Sequence, residues 1–170
     1  LIFVFQVCRA QVSDDFSDGN FNENPAWLGS DSLFIINEEY QLQLNSNYGG
    51  EAWLSVDYEK LKETEWRFWI KEKFSPSSKN FCDVFLYSDT QELKTCKTAY
   101  ILRFGESGSY DVVELLRIDN GELTSLCRGT DTFIASSFST FIKITYEESN
   151  NWKIFVDKVG NGNYKLEATA

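Results

Sequence analysis

The sequence predicts an all-β protein, an antiparallel sandwich of two sheets, on three observations. Apolar and polar residues alternate with a period of two through most of the chain, and helical periodicity is hard to find. Aromatic residues make up 16% of the 170 residues, with 14 Phe, 8 Tyr and 5 Trp, side chains that pack well on a pleated surface. Turn-forming residues recur at short intervals between the alternating runs.

The clearest strand is 66–71, where Trp66, Phe68 and Ile70 share one face and Arg67, Trp69 and Lys71 the other. Alternation of the same kind predicts strands at 33–37, 40–45, 52–58, 83–88, 99–104, 112–119, 123–127, 141–146, 152–157 and 164–168. Asp119-Asn120-Gly121-Glu122 has the chemistry of a two-residue hairpin turn, because Asn and Gly both tolerate positive φ. Glu148-Ser149-Asn150-Asn151 and Gly160-Asn161-Gly162-Asn163 are further turns, and Ser75-Pro76-Ser77-Ser78 closes another strand. A short helix is a candidate only at 57–65. With no repeat, low-complexity tract or shift in composition, residues 11–170 are expected to form one domain.

Composition restricts the function. The net charge of −10 opposes a phosphate backbone, so no nucleic-acid partner is expected, and an acidic surface suits a soluble exported protein. The absence of His removes the usual general base and neutral metal ligand, which excludes Ser–His–Asp and Cys–His catalysis. Residues 1–10 form an apolar run ending in Cys8-Arg9-Ala10, the pattern of a signal-peptide remnant cleaved after Ala10; an ordinary first strand is the alternative. The run is too short to span a membrane. Cys82, Cys96 and Cys127 then remain, an odd number with no C-x-x-C spacing, which favours buried unpaired thiols over a disulfide or a zinc site.

Several segments together carry a resemblance. Asp15-Phe16-Ser17-Asp18-Gly19-Asn20-Phe21 and Asn24-Pro25-Ala26-Trp27-Leu28-Gly29 lead into Gln41-Leu42-Gln43-Leu44. Glu65-Trp66-Arg67-Phe68-Trp69-Ile70 and Phe74-Ser75-Pro76-Ser77 follow. Val84-Phe85-Leu86-Tyr87-Ser88-Asp89, Leu102-Arg103-Phe104-Gly105-Glu106 and Cys127-Arg128-Gly129-Thr130 complete the set. The chain resembles a family of secreted bacterial surface proteins along nearly its whole length after residue 10. The resemblance implies a concanavalin A-like (laminin-G-like) jelly roll, placed at the N-terminus of a larger exported protein, often ahead of lamin-tail or immunoglobulin-like modules. A secreted or cell-surface location accords with it; a monomeric module is expected, and no membrane insertion, since the apolar run is too short. The resemblance carries no functional residues with it.

Glucanases of that fold place carboxylates in a Glu-X-Asp-X-X-Glu pattern, one to protonate the leaving group and one to attack. No Glu here has Asp two positions on, and Glu114 and Asp119 fall on opposite faces of a regular strand. No cofactor is expected, apart from Ca²⁺ if Asp14, Asp15 and Asp18 offer their oxygens to it, although their spacing is not that of an EF-hand. Gly105-Glu106-Ser107-Gly108 lacks the Lys of a phosphate loop. Binding residues are better represented. Trp69 is flanked by Arg67 and Lys71, and Tyr87, Arg103 and Arg117 lie on the strands that follow. If those strands are neighbours, the four make an aromatic and cationic surface for a sugar. The alternative places these aromatics under loops as structure. Trp66 and Trp152 are expected in the core, and Trp27 is expected to pin the N-terminal segment to the sheet. A non-catalytic extracellular carbohydrate-binding or adhesion module is therefore the leading expectation. A structural spacer or protein-interaction domain comes second, and a divergent glycoside hydrolase is remote.

Overall fold

A computed structural model describes residues 12–58, 63–106, 110–147 and 149–170. The expected signal-peptide remnant at 1–10 lies outside the described residues, as do residues 59–62 of the helix candidate; of its described residues none is helical, and Thr64 and Glu65 belong to a strand. The chain divides into two compact units, one holding residues 12–58 with Gln91–Leu93 and the other the remainder.

The first unit is built from short pieces. Strand β1 (Leu28–Gly29) pairs antiparallel with β4 (Leu54–Ser55), and β2 (Phe34–Ile36) with β3 (Leu42–Leu44). The β2–β3 turn is organised by Asn37, whose Oδ1 accepts hydrogen bonds from the amides of Glu39 and Gln41 at 3.0 Å each. Glycine is required at position 29. Its φ is +142°, and a Cβ there would lie 2.3 Å from the Trp53 carbonyl oxygen. Trp27 is tied to the segment before it: its Nε1 donates to Asp14 Oδ2 at 2.8 Å and its ring lies 6.1 Å from that of Phe16.

The second unit carries the long strands: β5 (Thr64–Glu72), β6 (Cys82–Ser88), β7 (Thr98–Phe104), β8 (Val113–Asp119), β9 (Glu122–Arg128), β10 (Phe138–Glu147), β11 (Asn151–Asp157) and β12 (Lys165–Thr169). They form two four-stranded antiparallel sheets, ordered β12-β11-β10-β5 and β6-β7-β8-β9. The β8–β9 hairpin turns through Asn120 and Gly121, at φ 51° and 87°, as the Asn-Gly signal requires.

Alternation decides what each sheet buries. Ile142, Ile144, Tyr146, Trp152, Ile154 and Val156 of the first sheet meet Leu86, Leu102, Phe104, Val113 and Leu115 of the second in one apolar core. Trp66, Phe68 and Ile70 pack against it from β5. Trp152 is 2% exposed, and its ring centroid lies 4.4 Å from Tyr146, 4.8 Å from Tyr100 and 5.7 Å from Trp66. Phe104 and Phe138 stack across the sandwich at 5.7 Å. A smaller cluster of Ala99, Ile101 and Leu116, with Phe85, Cys96 and Ile118, lies on the opposite face of the second sheet. Among the described residues Cys82, Cys96 and Cys127 are free thiols, each half-buried. No helix among the described residues is long and apolar enough to cross a membrane.

Candidate functional site

The four residues singled out from the sequence do not share one surface. Trp69 lies on β5 in the first sheet, and Tyr87, Arg103 and Arg117 lie on β6, β7 and β8 of the second. Consecutive strands β5 and β6 are not neighbours, so the condition for the four to meet is not fulfilled. A bulge divides the remaining three. Leu86 is the extra residue between the pairs Phe85–Ile101 and Tyr87–Tyr100, so Tyr87 turns to the side of Tyr100 while Phe85 packs with Ile101. Arg117 is also paired with Tyr100, which places Tyr87 and Arg117 in one row, on the side of the sheet that faces the core. Arg117 forms an ion pair with Asp119 there. Arg103 points to the other side.

Arg103 is committed to structure. Its Nε and Nη2 grip Asp83 Oδ1 and Oδ2 at 2.7 and 2.6 Å, and its guanidinium lies 4.4 Å from the centre of the Phe81 ring. The Asp83 hydrogen bond holds the guanidinium protonated more firmly than usual, against the effect of burial. Its cross-strand partner Glu114 faces Arg128 at 3.7 Å, and Arg128 also pairs with Glu106.

The acidic N-terminal segment is similarly occupied. Asp14, Asp15 and Asp18 accept hydrogen bonds from the amides of Phe16, Ser17 and Asn20, at 2.8, 3.0 and 3.1 Å. Hydrogen bonds from Ser17 lower the pKa of Asp15. The described residues include no group of three or more His, Cys, Asp or Glu side chains placed to hold a metal ion.

Trp69 has different surroundings. It sits on the outer face of the first sheet, away from the core, directly opposite Phe141 of β10. Its Nε1 donates to Ser139 Oγ at 2.8 Å, which fixes the indole while leaving it half-exposed. The same face carries Arg67 opposite Lys143, Lys143 opposite Phe155, and Phe155 opposite Leu166. Lys143 Nζ lies 4.4 Å from the centre of the Phe155 ring and 5.2 Å from that of Tyr164. Phe141 is 38% and Leu166 57% exposed. The β11–β12 loop borders this face. Asp157 accepts hydrogen bonds from the amides of Val159, Gly160 and Gly162 at 3.0, 2.8 and 2.7 Å. Burial raises its pKa, but these amides outweigh that and lower it. Gly160, at φ +77°, lies against Phe141, and a Cβ there would come within 2.6 Å of the ring.

At the end of β5 this face gives way to an open depression of about 360 Å³ lined by Lys71, Glu72, Lys73, Ser137, Phe138 and Ser139. Glu72 is 6% exposed and both its carboxylate oxygens are buried without a hydrogen-bond partner among the described residues. Burial pushes its carboxyl up to about 7. Among the described residues it is the only acid lining the depression. Near it, burial, with Glu72 and Asp83 adding, pushes the Cys82 thiol up to about 12.

No family model, curated protein or solved structure matches the chain.

Proposed function

We propose that this chain is a non-catalytic, exported carbohydrate-binding module whose ligand face is the outer surface of the β12-β11-β10-β5 sheet. The observation that carries this reading is the cross-strand pair Trp69–Phe141, two aromatic side chains presented outward where the strand pattern did not need them for the core. A sugar ring has an apolar side that lies flat on an indole or phenyl, and hydroxyls that need polar groups around it. Ser139, Lys71, Arg67 and Lys143 surround the pair in register. The two antiparallel sheets closed on one aromatic core accord with a jelly roll of the concanavalin A-like kind, which is part of this proposal. Among the described residues Glu72 is the single carboxyl lining the depression beside the face, which favours binding without hydrolysis, because glycosidic cleavage ordinarily needs two.

The test is a glycan array probed with the chain and with Trp69→Ala and Phe141→Ala variants shown to be folded by circular dichroism. Binding that is lost in either variant supports the face. Binding that survives both moves the site elsewhere. An array with no signal favours the spacer or protein-interaction reading.

A further inference from the structure

The outer face of the first sheet has a sign of charge opposite to that of the chain. The protein carries −10 overall, yet on this face the four cations Arg67, Lys71, Lys143 and Lys153 outnumber the three carboxylates Glu65, Glu147 and Asp157, the last of which stands opposite Phe141 and is taken up by loop amides. Arg67 and Lys143 stand directly opposite one another on β5 and β10. Like charges in that position repel and destabilise a sheet unless an anion lies between them. Glu65 pairs with Arg67 and Glu147 with Lys153, whereas Lys143 and Lys71 form no ion pair among the described residues. Lys143 is held in place by the faces of Phe155 and Tyr164, which fix its position without neutralising it. Along β5 the order on this face is Arg67, Trp69, Lys71; along β10 it is Ser139, Phe141, Lys143. Alternate residues of a strand are about 6.8 Å apart, a spacing on the scale of a sugar unit.

We infer that the ligand of this face is an anionic polysaccharide. Its sugar rings lie on Trp69 and Phe141, and a carboxylate or sulfate on the sugar sits between Lys143 and Arg67. The inference rests on the carbohydrate-binding reading and adds the charge of the ligand. Glu65 already offsets Arg67, so a neutral glycan would leave Lys143 as the cation without a counter-charge, whereas an anionic one supplies it on binding.

Titration calorimetry of the full chain with four polymers tests this. They are dextran (neutral), polygalacturonate (carboxylate), dextran sulfate (sulfate) and poly-L-glutamate (anionic, without sugar). The expected result is binding of at least one charged polysaccharide, with dextran and polyglutamate each at least about tenfold weaker. Lys143→Gln should weaken that binding by about 2- to 5-fold, and Lys143→Gln with Arg67→Gln by about tenfold. Raising salt from about 0.1 to 1 M should weaken it too, as the screening length shrinks from about 10 to 3 Å. Whichever of polygalacturonate and dextran sulfate binds more tightly identifies the anion. Dextran bound as tightly as the charged polysaccharides, with the Lys143 variant unchanged, would overturn the charge inference and leave the carbohydrate reading standing. Polyglutamate bound equally well would overturn the need for sugar. Binding of none of the four, together with a silent glycan array, would overturn both readings.

Discussion

Trp66 and Trp152 stack at 5.7 Å between ring centroids, although their strands β5 and β11 are separated by β10. Between them on β10, Ile144 pairs with Trp66 and Tyr146 pairs with Trp152. Truncating Trp152 removes a ring packed against three other aromatics in the middle of the core. Trp152→Ala should cost about 3–5 kcal/mol, the usual range for a buried large aromatic. Urea unfolding followed by circular dichroism measures it, and a loss below about 1 kcal/mol would contradict this packing.

Glu72 makes stability depend on pH in a definite direction. Its carboxyl is pushed from the ordinary 4.5 up to about 7 by burial. Below about 4.5 it is neutral in folded and unfolded chains alike, so the folded state carries no charge penalty. As pH rises toward 7 the unfolded chain ionises more readily, and stability falls until the folded group has ionised too. Glu72→Gln should therefore raise stability at pH 8, by on the order of 1–3 kcal/mol, and change it little at pH 4. Equal effects at the two pH values would contradict the assignment.

The β11–β12 loop should be sensitive at two places. Gly160→Ala combines a positive φ with a Cβ directed at the Phe141 ring, and should destabilise by roughly 1–2 kcal/mol. Asp157→Ala removes the acceptor shared by three amides. Since those bonds lower the Asp157 pKa, their support is present above the unfolded pKa and is lost as pH falls through the folded one. Hydrogen exchange at Val159, Gly160 and Gly162 should accelerate in Asp157→Ala; unchanged exchange would count against the cap.

Arg103→Leu separates structure from binding. It leaves Asp83 without its two charge-assisted hydrogen bonds and should lower stability by about 1–3 kcal/mol. Glycan binding should persist in this variant, because Arg103 lies on the other sheet from Trp69. Loss of binding in a folded Arg103→Leu protein would return the site to the second sheet.

Much of the strand pattern was legible from the period of two. Trp66, Phe68 and Ile70 face the core and Trp69 faces away, as alternation alone requires. The Asn120–Gly121 hairpin was legible because its turn is local chemistry. Sheet membership was not, because alternation assigns a residue to a face without naming the strand beside it. β5 pairs with β10, far along the chain, and not with β6, so Trp69 gained Phe141 and Lys143 as neighbours instead of Tyr87 and Arg103. The bulge at Leu86 turned Tyr87 over by a single extra residue that no local signal marked. The Arg67–Lys143 opposition was equally hidden, since it exists only in the register between distant strands.

That distant pairing also sets the order in which the sandwich can be assembled. β5 emerges early and carries Trp66, Phe68 and Ile70 on one face, but its hydrogen-bonding partner β10 comes only after β6 to β9. The second sheet is made of successive neighbours and closes through local hairpins, while the first must wait for a long loop to close. A half-made chain thus holds an unpaired apolar strand, and the cations Arg67 and Lys71 on its opposite face discourage that strand from pairing with another copy of itself.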